Sequence, residues 1–345
     1  MNARDPGGPT VQAASPMART GGAASDSGTA GAPRRFWASN PHARHTLSHL
    51  AELRPRMAAL GAAPLAGNDA ADWVHVLAAA DLGSDDLLAV HGGDGTLQVI
   101  LTALGRCVPV ARWPTLALLP AGGTNMTAYD GGGRQRFGDA LAGLEAMLRG
   151  ERPWWARQRP VIRVTDGDDV HYGFFFGAGA VVRGIEFYQR EIARGAIGDE
   201  FASGVTLLRG AWGIARRDRR FIDASHAAFE LDGQTVDEEL LMFFATTLDR
   251  MFMGIRPFWG DGSGGMHTTW IRADVQHFFW RLPRLLRRGG GLTSAQGYNS
   301  RDLDALTLRL NGPYTLDGEL FPAPVTTVAI QAEGPVRLLN LVGRA

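Results

Sequence analysis

The chain contains no lysine; its 35 basic residues are all arginine. That excludes a Walker-type phosphate-binding lysine, the strand lysine of protein kinases and any Schiff-base chemistry. Phosphate groups would have to be gripped by backbone N–H groups, arginine or a metal ion. Cysteine is almost missing: Cys107 stands alone, so neither an intramolecular disulfide nor a thiolate zinc cluster can form. A reducing, cytoplasmic setting fits. Net charge is missing too, with 35 acids against 35 bases, so no nucleic-acid partner is expected. No run approaches the ~18 consecutive apolar residues of a membrane-spanning helix. Residues 1–33 lack apolar anchors and the apolar segment of a secretory signal. Their Ala, Gly, Ser, Thr and Pro composition predicts a disordered tail, with an organellar presequence as the alternative.

What is present reads as two domains, as 345 residues suggest. Arg34–Ala38 is strand-like and ends in Ser39-Asn40-Pro41, a turn. Leu47, Leu50, Leu53, Met57 and Leu60 have helical spacing, and 72–80 predicts a second helix. The apolar run Leu87–Val90 predicts a buried strand that breaks into Gly92-Gly93-Asp94-Gly95-Thr96. A helical pattern follows to Leu104. A second apolar strand, 115–119, breaks into Pro120-Ala121-Gly122-Gly123-Thr124-Asn125, and 138–148 predicts a closing helix. Strands alternating with helices imply a parallel sheet, with ligands at the carboxyl ends of its strands. After Gly150 the character changes. Short β-prone runs at 161–165, 172–176, 227–231, 240–245, 268–271, 306–310 and 326–331 predict a largely antiparallel β domain. Stretches at 184–220 and 274–288 look helical.

Gly92-Gly93-Asp94-Gly95-Thr96 carries the most chemistry. A turn alone needs one or two glycines, not three around an acid followed by a hydroxyl. Bare backbone at a helix N-terminus suits phosphate oxygens. Asp94 would orient Mg²⁺, directly or through water, or help activate an accepting hydroxyl; Thr96 would cap the helix and donate to phosphate. Gly122, Gly123, Thr124 and Asn125 form a weaker motif, strengthened by its place after a second buried strand. Asn40-Pro41 is weaker still, because Asn-Pro is a common turn former.

Together these three turns resemble the catalytic domain of the diacylglycerol kinase, sphingosine kinase and ceramide kinase superfamily. Its members carry an Asn-Pro turn after the first strand, a Gly-Gly-Asp-Gly-Thr loop and a Pro-x-Gly-Thr-x-Asn segment. This chain departs from the pattern by an inserted glycine at 122–123, by Asn125-Met126 in place of Asn-Asp, and by an Asn40-Pro41 turn without Ser-Gly. Gly173–Ala180 resembles the family's apolar Gly-x-Gly strand, and Asp317-Gly318-Glu319 its late Asp-Gly-Glu motif. A lone Asp-Gly is usually only a turn, as at Asp166-Gly167 and Asp232-Gly233; the second acid and the preceding 306–310 strand single out 317–319.

The resemblance implies an α/β plus β fold. An N-terminal three-layer α/β nucleotide-binding domain (34–150) would precede a C-terminal β-sandwich-like lipid-substrate domain (151–335), and 336–345 would pack back on the first. ATP and Mg²⁺ are the implied cofactors, with Asn40, Pro41, Gly92–Thr96 and Gly122–Asn125 binding nucleotide. Glu319 would be the general base toward a lipid hydroxyl, with Asp317 beside it. Asp94 and, near a turn ahead of a strand, Asp261 would be metal ligands; for Asp261 a plain glycine-rich turn is an equal reading. The acceptor is a diacylglycerol-like or sphingoid-like lipid. The aromatic and arginine mixture at 270–288 suits peripheral contact at the inner face of a membrane, against the reading of an ordinary packed helix. Arg216–Arg220 is a similar, weaker candidate. A homodimer is left open. An NAD kinase shares the glycine loop but would carry later motifs that are missing here. A catalytically weak lipid- or nucleotide-binding regulator is the alternative from another class; Asp94 and Glu319 together weigh against it.

Overall fold

The structure, a computed structural model, describes residues 33–40, 46–132, 136–193, 225–231, 233–251, 254–322 and 324–342. The expected tail, apart from Pro33, lies outside them, as do Pro41, Arg216–Arg220, Asp232 and the expected helical stretch beyond residue 193.

The first half comprises β1 (Arg35–Ser39), α1 (Thr46–Ala59), β2 (Ala63–Leu65), α2 (Ala70–Ala80), β3 (Leu87–Gly92), α3 (Asp94–Cys107), β4 (Thr115–Pro120), α4 (Met126–Gly132) and α5 (Phe137–Leu148). Strands β2, β1, β3 and β4 lie side by side and parallel. Successive side chains of a strand point to opposite faces, so a strand covered on both sides must be apolar throughout. Leu88 and Val90 of β3 and Leu116 and Leu118 of β4 face a core with α2 and α3. Their neighbours Leu87, Ala89, Ala117 and Leu119 face a second core with α1 and α5. The three layers follow from that alternation.

The second half comprises β5 (Ala156–Asp166), β6 (Asp169–Gly173), β7 (Phe175–Gly179), α6 (Ala180–Ala193), β8 (Ser225–Leu231), β9 (Gln234–Thr246), β10 (Met266–Arg272), α7 (Phe278–Leu285), β11 (Tyr298–Leu303), β12 (Ala305–Leu310), β13 (Tyr314–Leu316), β14 (Glu319–Phe321) and β15 (Thr326–Leu339). Pairing within it is antiparallel. Along β12, exposed and buried residues alternate strictly. The inward side chains of β5, β7, β8, β9, β10, β12, β13 and β15 share one core, the interior of a β-sandwich.

Strand β15 joins the halves. It pairs with β12 and β5, and its end lies parallel to β4, Leu338 opposite Leu116. Leu339 and Leu341 enter the core beneath Trp37, Ala89 and Ala117. The helices and strands of the first half agree with the periodicity to within a few residues, except β2 and α4, which it did not predict. The 172–176 run differs: it is not one strand but the junction of β6 and β7, broken at Phe174. There the N–H groups of Phe174 and Phe175 leave the ladder and donate to the Asp317 carboxylate, at 2.9–3.1 Å. The carbonyl of Phe174 accepts from Thr246 Oγ1 and Thr247 N. The chain thereby changes partners, from β5 before the break to β9 and β13 after it.

Candidate active site

Two glycine turns end adjacent parallel strands, β3 and β4, and they touch. A Cβ placed on Gly122 would lie 2.6 Å from the Gly93 Cα, so only glycine permits this approach. Asp94 fastens the turns together. It is the first residue of α3 and only 7% exposed. Its Oδ2 accepts from Thr124 Oγ1 at 2.7 Å and from Met126 N at 2.8 Å; its Oδ1 accepts from Thr127 N at 3.0 Å. Met126 and Thr127 open α4, so the positive ends of α3 and α4 converge on one carboxylate. Asn125 shapes the second turn. It adopts φ 45°, and its side-chain amide bonds both the N–H and the carbonyl of Gly122, at 2.9 and 2.6 Å. A small recess under the turns is lined by Gly92, Gly93, Asp94, Pro120, Asn125 and Thr127, among others.

Thr96 does not cap α3, contrary to the sequence reading. The helix begins two residues earlier, after Gly93, and no side chain caps it. Thr96 is buried in the first turn against Gly92. An uncapped first turn leaves backbone N–H groups for phosphate oxygens.

The late acids arrive on the β13–β14 hairpin. Asp317 and Gly318 are its two turn residues, both with positive φ (50° and 92°), the backbone that Asp-Gly favours in a tight hairpin. The turn and the motif are one thing here: the turn chemistry sets the two acids. Asp317 points inward, 5% exposed, onto the Phe174 and Phe175 amides. Burial and then the neighbouring Asp94 charge hold its carboxyl well above the usual range, against the pull of those two amides. Glu319 points the other way. A Cβ on Gly95 would lie 2.5 Å from Glu319 Oε1, so this exposed carboxylate lies directly over the glycine turn. Residues more than two hundred positions apart thus meet at one place.

Asp261 is placed differently. It lies on the turn ahead of β10, 2.7 Å from Arg301 in a surface ion pair. Among the described residues no three His, Cys, Asp or Glu side chains group closely enough to hold a metal. The Asp94 and Asp317 oxygens already accept hydrogen bonds. Of the acids at the turns, exposed Glu319, and Asp94 through water, are the ones that could meet a divalent ion. Asn40 follows β1, half-buried and partnered.

Sequence reasoning missed α4 and the histidines beneath the first turn. His91, fully buried, contacts Ser39 Oγ through Nδ1 at 3.1 Å and His49 Nδ1 through Nε2 at 3.3 Å. His49 stacks on Phe137, ring centroids 4.0 Å apart. Burial, with the His49 charge second, pushes His91 down to about 4 from 6.5. A lowered histidine favours the fold in its neutral form. Its contribution is complete above pH 6.5 and is lost as pH falls toward 4. Unfolding free energies from urea titration at neutral pH and near pH 5 should therefore differ, by up to about 3 kcal/mol across the full range. The His91→Asn variant should lose most of that dependence; an equal slope would acquit His91.

Residues 40–152 match the family model of the diacylglycerol kinase catalytic domain. This segment is similar to that catalytic domain. The match spans both glycine turns and ends before Glu319, so the matched segment carries one side of the candidate site and the β half the other. A diacylglycerol kinase from Bacillus anthracis str. Sterne superposes at a TM-score of 0.56 and 15% identity, over 88% of this chain and 96% of that one. A second structure from the same organism gives 0.59 and 16% over the same shares. At such identities the shared property is the fold, an α/β domain followed by a β-sandwich. A yeast NADH kinase aligns at 0.44 and 9% identity over 91% of this chain and 84% of that one, too loosely to bear on the reaction. No curated protein matches the chain.

Proposed function

We propose that the protein is a lipid kinase that transfers the γ-phosphoryl group of ATP, with Mg²⁺, to a hydroxyl of a diacylglycerol-like or sphingoid-like lipid. The observation that carries this reading is Glu319 lying over Gly95. An enzyme that only bound nucleotide would have no use for a solvent-facing carboxylate directed at its phosphate turn.

In this reading the uncapped start of α3 and the Gly122–Asn125 turn hold the phosphates through backbone N–H groups. Lysine is absent, so that grip falls to backbone N–H groups, arginine and metal, and Asp94 fixes the backbone part by tying α3 to α4. Magnesium, when bound with the nucleotide, would neutralise charge on the phosphates. Glu319 accepts the proton of the lipid hydroxyl as its oxygen approaches phosphorus. Asp317, turned inward, holds the hairpin so that Glu319 faces the turn.

Purified protein with labelled ATP, Mg²⁺ and a panel of diacylglycerol, ceramide, sphingoid base, phosphatidylglycerol and NAD tests the proposal. A labelled lipid phosphate is the expected product. Labelled NADP alone would replace the lipid with a nucleotide acceptor. Nucleotide binding without transfer to any acceptor would make the protein a regulator.

A further inference from the structure

Helix α7 has two unlike faces. Phe278, Leu282 and Leu285 pack inward against Ile271 and Tyr298. Trp280 faces outward and is 77% exposed, the most exposed large apolar side chain among the described residues. Arg284 lies one turn further on that outer face, and Arg287 and Arg288 follow at the end of the helix; all three are exposed. None of the three forms an ion pair among the described residues, whereas Arg159, Arg272 and Arg301 all find carboxylates. The sequence supplies none here, because no acid stands between Asp274 and Asp302.

An exposed tryptophan would lower the free energy of the protein by moving into a less aqueous place, yet its neighbours are unpaired cations that need water or anions. Both demands are met at the surface of an anionic bilayer, where an indole sits at headgroup level and guanidinium groups reach lipid phosphates. No helix among the described residues is long and apolar enough to cross a membrane, so any attachment through helices would be at the surface. We infer that the outer face of α7, with Arg287 and Arg288, is a docking surface for an anionic lipid bilayer. Trp280 anchors it and Arg284, Arg287 and Arg288 supply the charge. This inference does not rest on the kinase reading. Vesicle binding can fail while a short-chain, monomeric lipid is still phosphorylated, and the reverse.

Co-sedimentation of the full chain with vesicles tests it. The protein should pellet with phosphatidylglycerol-rich vesicles, weakly or not at all with pure phosphatidylcholine, and less at high salt. The Arg284→Glu/Arg287→Glu double variant should bind anionic vesicles at least about tenfold more weakly. Trp280→Ala should weaken binding several-fold and leave the salt dependence in place. Both side chains face solvent, so unchanged far-UV circular dichroism is expected and checks the fold. Wild-type binding by both variants, or equal binding to neutral vesicles, overturns the inference. So does a concentration-dependent dimer in sedimentation velocity that Trp280→Ala abolishes, because the face would then be covered by a second copy.

Discussion

The Glu319→Gln variant should lose roughly 10²–10⁴-fold in kcat with a proton-accepting carboxylate gone. Its KM for ATP and its urea midpoint should stay near wild type. The expectation rests on how Glu319 is held. Its backbone carbonyl accepts from Thr315 Oγ1 at 2.8 Å, and that bond belongs to the hairpin, not to the side chain. The side chain is exposed and directed at Gly95. Glutamine keeps the shape and removes only the ability to take a proton. A loss in kcat with no change in stability would separate chemistry from folding. The Glu319→Asp variant provides the gradation: it keeps the charge but withdraws it by about one C–C bond, so its turnover should fall between the two. Wild-type turnover in Glu319→Gln would remove this residue from the reaction, and the hairpin would then be a turn and nothing more.

The site was partly legible in the sequence, and the boundary is physical. Buried strands are apolar on both faces and the turns that end them are glycine-rich, so β3, β4 and both glycine turns could be read directly. Asp317-Gly318 could be read as a turn, and Glu319 was selected by a resemblance. What no periodicity carries is the pairing of β15 with β4, which joins the two halves. Nor does local sequence say that Gly95 and Glu319 meet, because that contact depends on how two separate cores assemble. The break at Phe174 was invisible for a similar reason. The run from Tyr172 to Phe176 is apolar and β-prone throughout, and the interruption comes from a carboxylate about 140 residues later in the chain, within the distances of 142 and 143 that separate Asp317 from Phe175 and Phe174. Thr96 was misplaced by a local rule that prefers a hydroxyl at a helix cap. Here Gly93 takes that position, where a Cβ would lie a tight 3.0 Å from the Gly122 Cα.

Asp94 was legible as important, but its contacts give it a different first task from the one its motif suggests. A residue that only faced a metal ion would tolerate Asp94→Asn in the absence of metal. The hydrogen bonds forbid that tolerance. Met126 N and Thr127 N are both donors, and they approach different oxygens of the carboxylate. Asparagine has one oxygen, so whichever way its amide turns, an NH₂ group faces a backbone N–H. One buried donor is left unsatisfied, which destabilises by about 1–3 kcal/mol. The Thr124 hydroxyl can rotate to suit the new group, so it does not add to the loss. Asp94→Asn should therefore lower the urea midpoint in metal-free buffer and weaken metal-free nucleotide binding as the two turns part. Turnover should fall with them. Removing the Asp94 charge should also let the Asp317 carboxyl move back down toward its ordinary range, because that charge is the second cause of its elevation. An unchanged midpoint without metal, with activity lost only where Mg²⁺ is required, would restore Asp94 to a purely metal-facing role. The lysine-free chain makes the distinction consequential. In the proposed reading, with no side-chain ammonium to hold phosphate, the backbone at the start of α3 matters more, and Asp94 is the side chain that ties it to α4.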